Sequence, residues 1–299
     1  MLQNPAREQT IAPIPLAPPP ASIRAVPRTA GASRPLGRLG SLEVHLANDA
    51  KDVRRAQRLR YRVFYGEMSA KGLSARLLRR DADAYDEICD HLLVIDNIGS
   101  RGTTRAPRVV GTYRLLRQDV AARHRGFYSA AEFDIALLLA RHRNLKFLEL
   151  GRSCVAPPYR NRRTVNLLWH AIWRYVLEHR IDAMFGCASL DGTDLKNLAQ
   201  PLSYLHHFAA ADDDWRARAL PSRRVPMACL AANDIDPRAA WRDLPPLVKG
   251  YLRLGARVGD GAVVDHRFGT TDVLIVLPVS HIDQRYIAHF GAAAERHAA

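Results

Sequence analysis

Three pairs of residues able to handle an amino acid stand at short spacings: Arg60 with Phe64, Asp83 with Asp86, and Glu149 with Arg152. The last pair lies inside Glu149-Leu-Gly-Arg-Ser-Cys-Val155. Carboxylates and guanidiniums in this arrangement suit acyl transfer from a thioester to an amine. That reaction needs an uncharged amine, a held carbonyl and donors for the tetrahedral oxyanion, and no covalent enzyme intermediate. An amine is largely protonated at neutral pH, so a carboxylate in reach, directly or through one water, serves as general base. Glu149 is the candidate base, with Arg152 beside it in the motif. Asp83 and Asp86, flanking Tyr85, suit an amino acid's ammonium group, and Arg60 or Arg114 suits its carboxylate through a bidentate fork. The bland alternatives are a Glu–Arg pair that satisfies itself and an acidic turn balanced by Arg79 and Arg80.

The elements that must position these residues follow from pattern. Leu42, Val44 and Leu46 alternate with polar residues, which predicts a strand. Asn48 or Asp49 caps a helix running to about Tyr65, with Val53, Ala56, Leu59 and Val63 on its apolar face. Arg60 and Phe64 then share one face near its C-terminal end. Cys89–Asp96 and Arg108–Leu116 predict a hairpin with a long connection. Ala130–Arg141 is helical by composition, Leu145–Val155 a strand ended by Pro157 and Pro158, Thr164–His179 an amphipathic helix, and Ala183–Ala188 a further strand. Asp194–His207 suits a helix, 237–252 is mixed, and Thr271–Val279 is strand-like. In a regular strand Glu149 and Arg152 point to opposite faces.

Composition bounds the rest. The chain has 299 residues, 47% of them apolar, enough for one enlarged domain. Eight prolines fall within residues 1–40 among Ala, Arg and Ser, which predicts a disordered arm there and a folded part over 41–299. No apolar run matches a secretory signal or a membrane span, so a cytoplasmic or membrane-peripheral protein is expected. Cys89, Cys154, Cys187 and Cys229 show no paired spacing, which points to reduced thiols and no zinc site. The net charge of +14 predicts an acidic partner. Without a zinc finger, an RNA-binding aromatic motif or a recognition helix, that partner is not expected to be nucleic acid. Two His-x4-Asp matches, His91 to Asp96 and His207 to Asp212, fit chance, and Ser153 lacks the Gly-x-Ser-x-Gly elbow of serine hydrolases.

The three pairs occur at the same spacings in acyl-homoserine lactone synthases, divergent members of the GNAT superfamily of N-acyltransferases. The text between them is closer to a sister family. Gly151-Arg-Ser-Cys-Val-Ala-Pro-Pro-Tyr-Arg160, Pro245-Pro-Leu-Val-Lys-Gly-Tyr-Leu-Arg-Leu-Gly255 and Gly259-Asp-Gly-Ala-Val-Val-Asp265 resemble bacterial ornithine N-acyltransferases, over about Leu42 to Phe290. The resemblance implies an α/β fold of GNAT type, a mixed central sheet with flanking helices, with a core over about 41–190 and a C-terminal extension over about 191–299. It implies transfer of a 3-hydroxyacyl chain from acyl carrier protein to the α-amino group of L-ornithine, the first step of ornithine lipid synthesis. Arg60, Phe64, Asp83, Asp86 and Arg114 would then bind the acceptor.

Members of the superfamily bulge the strand that carries the motif, which re-aims side chains and frees backbone N–H groups. A bulge is therefore predicted between Leu150 and Cys154, with its N–H groups as an oxyanion hole. The donor's 4′-phosphopantetheine arm would lie along Ser153, Cys154 and Val155, with its phosphate near Arg160, Arg162 and Arg163 at a helix N-terminus. The loop lacks the glycines that wrap coenzyme A and the Asp-Gly of ornithine acyltransferases, which favours a carrier-bound arm. No permanently bound cofactor and no metal are implied, and the hydrophobic product suggests peripheral contact with the inner membrane. The alternatives are a lactone synthase using S-adenosylmethionine, against which the extension with Lys249-Gly-Tyr-Leu-Arg253 argues, and an idle module that binds acyl carrier protein or anionic membrane.

Overall fold

The computed structural model describes residues 35–68, 70–98, 107–283 and 285–286. Most of the expected arm, most of the connection over 97–107 and the last residues of the extension lie outside these. Ten strands form one sheet: β1 Gly37–Leu39, β2 Leu42–Leu46, β3 Asp90–Asp96, β4 Arg108–Arg117, β5 Phe147–Val155, β6 Ala183–Asp191, β7 Arg224–Val225, β8 Arg257–Val258, β9 Ala262–Asp265 and β10 Thr270–Pro278. The helices are α1 Ala50–Phe64, α2 Leu73–Leu78, α3 Gln118–Arg123, α4 Ile135–Arg141, α5 Arg162–His179, α6 Ala199–Phe208, α7 Pro237–Asp243 and α8 Pro246–Arg253. The expected α/β architecture, a mixed sheet with flanking helices, is what forms. Strand β1 begins four residues before the expected start of the folded part.

Local chemistry explains where the elements begin. Asp49 caps α1 by accepting from the N–H groups of Lys51 and Asp52, both at 2.8 Å. Asn161 caps α5 and Asp134 caps α4 in the same way. Asp134 also accounts for a departure from the expected helix over Ala130–Arg141. A 3-10 turn, Tyr128–Ala131, comes first, and α4 restarts only after the cap.

The strand order is β1-β2-β3-β4-β5-β6-β10-β9-β7, with β8 also on β10. All pairings are antiparallel except β5 with β6. Alternation assigns the two faces. Leu92 and Val94 pack with α5, while Leu93 packs with Ala56, Leu59 and Val63 of α1. The segment after residue 190 is not an appendage: β10 inserts beside β6 over nine residue pairs, so the extension completes the central sheet.

Two irregularities in β5 shape its middle. The parallel ladder with β6 pairs Phe147–Glu149 with Ala183–Phe185 and then stops, although both strands continue. Across from β4, Thr112 pairs with Cys154 and Arg114 with Gly151, so Tyr113 alone faces Arg152 and Ser153. This is the predicted bulge, with Arg152 in the left-handed region at φ 49°. Its effect is visible in packing. Leu148 and Leu150 belong to the core on the α5 side, yet Cys154, an even number of residues on, packs with α1.

Where the ladder ends, Gly186 is indispensable, because a Cβ there would sit 2.1 Å from the Leu150 carbonyl oxygen. Gly186→Ala should destabilise the fold by about 2–3 kcal/mol, the upper range for overpacking. A thermal midpoint within a degree of the parent would show that β5 and β6 have room to part.

Candidate active site

The bulge and the parted strands open a cavity of about 190 Å³ between the second halves of β5 and β6. That is room for on the order of ten water-sized groups, which fits an amino acid and a thioester carbonyl. Glu149, Leu150, Gly151, Arg152 and Ser153 line one side, and Cys187, Ala188 and Ser189 the other. Arg114 comes from β4, Phe64 from α1, Tyr128 and Ser129 from the 3-10 turn, and Asp265, Phe268 and Asp272 from β9, β10 and their connection. Helix α8 contributes Leu247 and Tyr251.

Glu149 does not pair with Arg152. Its carboxylate sits at the start of the 3-10 turn, accepting from the Tyr128 N–H at 2.8 Å, the Ser129 N–H at 2.7 Å and the Ser129 hydroxyl at 2.5 Å. Burial pushes its pKa up, and these three donors pull against that rise. The group therefore lines the cavity while held by neutral donors, and Ser129 Oγ also faces the Cys187 thiol at 3.4 Å.

Beside it, three guanidiniums and three carboxylates alternate. Arg60 Nε donates to Asp81 at 3.0 Å and Nη2 to Asp86 at 2.7 and 2.8 Å. Arg114 Nη1 donates to Asp83 at 2.7 Å and to Asp86 at 3.3 Å, and Arg152 Nη2 to Asp83 at 3.3 Å. Burial alone would raise the carboxyl pKa values of Asp83 and Asp86. The guanidiniums outweigh burial and hold both below the usual carboxylate range.

This network sorts the residues expected at the acceptor. Arg114 lines the cavity and stacks over Tyr85 and Tyr128 at 5.6 and 5.4 Å. Phe64 lines it too, edge-on to Phe268 at 5.7 Å. Arg60 is 1% exposed and Asp86 6%; both stand behind the wall, engaged with each other, and neither reaches the cavity. Asp83 is likewise turned onto Arg114 and Arg152 rather than into the cavity. Arg152 lies over Tyr128 and Phe268 at 5.0 and 4.7 Å, and its buried Nε faces the Asp81 carboxylate at 3.8 Å, an ion pair too long for a hydrogen bond.

The expected donor residues are spread out. Ser153 lines the cavity. Cys154 is buried among apolar side chains that push its thiol up to about 12, so it carries no thiolate at neutral pH. Val155 packs on the core, and its carbonyl accepts from Arg160 Nε at 2.9 Å. Arg160 also pairs with Glu67 at 2.6 Å, and Arg162 and Arg163 lie exposed in the first turn of α5. None of these three cations lines the cavity.

Two features have no counterpart among the expected residues. Glu132, Asp265 and Asp272 bring one carboxylate oxygen each within 4.8 Å of one another, with the two aspartates at the cavity. Burial, then repulsion from Asp272, raises the Glu132 pKa to about 7; burial also raises that of Asp272. Such a trio accepts a metal ion or an ammonium group. The second feature is the pair Tyr113 and Tyr251, whose hydroxyls meet at 3.1 Å at the cavity wall. Burial raises both pKa values, so both stay protonated donors at neutral pH.

Two outcomes follow. Asp86→Ala leaves Arg60 short of an anion in the interior and should cost about 3–5 kcal/mol, seen as a lower urea midpoint; an unchanged midpoint would refute a structural role for the pair. Glu132 has a folded pKa of about 7 against an ordinary value of 4.5, so the native chain binds the extra proton between these values. Its contribution is therefore complete below about pH 4.5 and lost as pH rises through 7. Glu132→Gln should flatten that fall in melts run from pH 5 to 8, and an identical slope in both proteins would argue against the shift.

Comparison with known proteins gives the family. A model of the acetyltransferase (GNAT) domain matches residues 59–170. An L-ornithine N(alpha)-acyltransferase of Agrobacterium fabrum is 52% identical over 262 residues, covering 87% of this chain and 88% of its own length. Its namesake in Rhizobium meliloti is 52% identical, covering 89% and 90%. Among solved structures, an N-acyl amino acid synthase from uncultured soil microbes aligns with a TM-score of 0.47 at 10% identity, covering 83% of this chain and 98% of that one. With identity above half across nearly nine-tenths of its length, the chain belongs to the L-ornithine N(alpha)-acyltransferase family of GNAT proteins.

Proposed function

We propose that the chain transfers a fatty acyl group, 3-hydroxylated and carried on the phosphopantetheine arm of acyl carrier protein, to the α-amino group of L-ornithine. The observation that carries this reading is the polarity of the cavity. It has the guanidiniums of Arg152 and Arg114 on one wall and the carboxylates of Asp265 and Asp272, with Glu132 behind them, on the other. Ornithine has matching groups: Arg152, backed by Arg114, takes the α-carboxylate, and Asp265, Asp272 and Glu132 take the δ-ammonium. Arg223 already pairs with Glu132 at 3.2 Å, and the δ-ammonium adds a second cation at Asp265 and Asp272, without a metal.

The α-amine then lies toward Glu149 and Ser129. Its proton passes to Ser129 Oγ as the hydroxyl proton moves to Glu149 Oε1, along the 2.5 Å hydrogen bond between them. The neutral amine attacks the thioester carbonyl, whose oxygen takes up negative charge beside the bulge at Arg152 and Ser153, where backbone N–H groups leave the ladder. Collapse of the adduct expels the thiolate; a phenol of the Tyr113–Tyr251 pair gives its proton to the sulfur and takes the second proton from the amide nitrogen, and Glu149 releases the first proton to solvent. The donor arm enters between the parted strands.

Mass spectrometry with acyl-loaded carrier protein and a panel of ornithine, lysine, glutamine and S-adenosylmethionine tests the assignment. Acyl-ornithine is the expected product, and product from S-adenosylmethionine alone would move the chain to the lactone synthases. Glu149→Gln should lower kcat by about 10²-fold or more, the range for a positioned base, in a protein that still folds but melts lower, because the amide nitrogen cannot accept from the Tyr128 N–H. Ornithine binding should tighten as pH rises through about 7, because the deprotonated trio holds the cation, so KM falls between pH 6 and 8. A chelator should leave turnover unaltered; inhibition would mean that the trio holds a metal.

A further inference from the structure

Between α1 and the Arg60 network the chain presents apolar side chains to water. Leu73 and Leu77 of α2 are the two most exposed large hydrophobic side chains among the described residues, at 77% and 76%, and Leu78 is also exposed. Leu73 and Leu77 are four residues apart and share one face, while only Ala75 turns inward. Around them stand Lys71, Arg76, Arg79 and Arg80, with no acidic residue between Met68 and Asp81. Asp81 itself is turned inward onto Arg60. None of the four cationic side chains has an ion-pair partner among the described residues.

The segment is tied to the cavity's aromatic end. Ala70 packs with Phe64 and Phe268, and the Lys71 N–H donates to the Arg267 carbonyl at 2.6 Å. Arg267, half in solvent, adds a further cation beside it.

We propose that α2 and its flanking cations form a docking surface for an anionic lipid bilayer. The leucines would enter the headgroup–acyl boundary, and Lys71, Arg76, Arg79 and Arg80 would meet lipid phosphates. Exposed leucines alone would suit any apolar partner, and unpaired cations alone any acidic one. A bilayer surface matches both over a segment of ten residues. An acidic carrier protein needs only the cations, and the α5 N-terminus offers those without leucines. The surface stands on its own residues and does not depend on the acyl-transfer reading, although it sets the aromatic end of the cavity near lipid, where an acylated product partitions.

Cosedimentation of the full chain with vesicles of phosphatidylcholine, with and without phosphatidylglycerol, tests this. The chain should partition at least tenfold more strongly into the anionic vesicles. The pair Leu73→Gln, Leu77→Gln and the pair Arg76→Glu, Arg79→Glu should each weaken that partition at least tenfold, with thermal midpoint and vesicle-free turnover unchanged. Unaltered partition of the leucine pair would overturn the proposal, since another part of the chain would then carry binding. So would a leucine pair that keeps vesicle binding but loses affinity for acyl carrier protein, which would make α2 a carrier dock. Vesicle binding and turnover are read separately, so loss of either leaves the other interpretable.

Discussion

The cavity rests on a buried chain of alternating charges. Arg60, Arg114 and Arg152 meet Asp81, Asp83 and Asp86 in a cluster of three charges of each sign, which reaches water at Asp83 and through Arg267, 4.0 Å from Asp81. Each guanidinium comes from a different element: α1, β4 and the β5 bulge. All three carboxylates come from the loop before β3. The loop thus acts as a common counter-ion that fixes three elements at once. An isolated charge here would be prohibitive, whereas a closed set with hydrogen-bonding geometry is tolerable. Arg60 and Asp86 serve the site by holding Arg114 and Arg152 at the angles from which they face the cavity.

The second constraint is mechanical. A single extra residue in β5 changes which face its side chains reach, so Glu149 and Arg152 line one cavity instead of opposite sides of the sheet. The parallel pairing with β6 then ends after three residue pairs, and the space between the strands becomes part of the cavity. Bulge and parting strands place charge, unpaired backbone and opening at one point. The backbone supplies much of what acyl transfer requires, and the side chains tune it.

Much of this was legible in sequence because it depends on neighbours in the chain. The Asp49 cap, the Arg60–Phe64 spacing and the clash between strand alternation and the Glu149–Arg152 pair are local facts, and the last of these demanded the bulge. Contacts between distant residues were not legible. Nothing near Glu149 announces that Tyr128 and Ser129 will cap its carboxylate, since they lie about twenty residues away in a 3-10 turn ahead of the Asp134 cap. Glu132, Asp265 and Asp272 lie more than one hundred residues apart at the extremes and meet only through β10. The same holds for Arg60, whose residue type suggested a ligand and whose burial makes it a support.

The insertion of β10 beside β6 has a further consequence, for how the molecule comes together. The strand at the heart of the sheet is among the last described segments of the chain, and it brings Asp272 and, through its connection to β9, Asp265 and Phe268. Until it arrives, β6 is an unprotected edge and the cavity lacks a wall. Pairings this distant in sequence are slow to form, because the intervening loop must be closed before the ladder can stabilise it. During synthesis the first half of the sheet can organise around α1 and α5. A competent site, however, comes into being only once Thr270–Pro278 has been made and paired, in the same event that seals the edge.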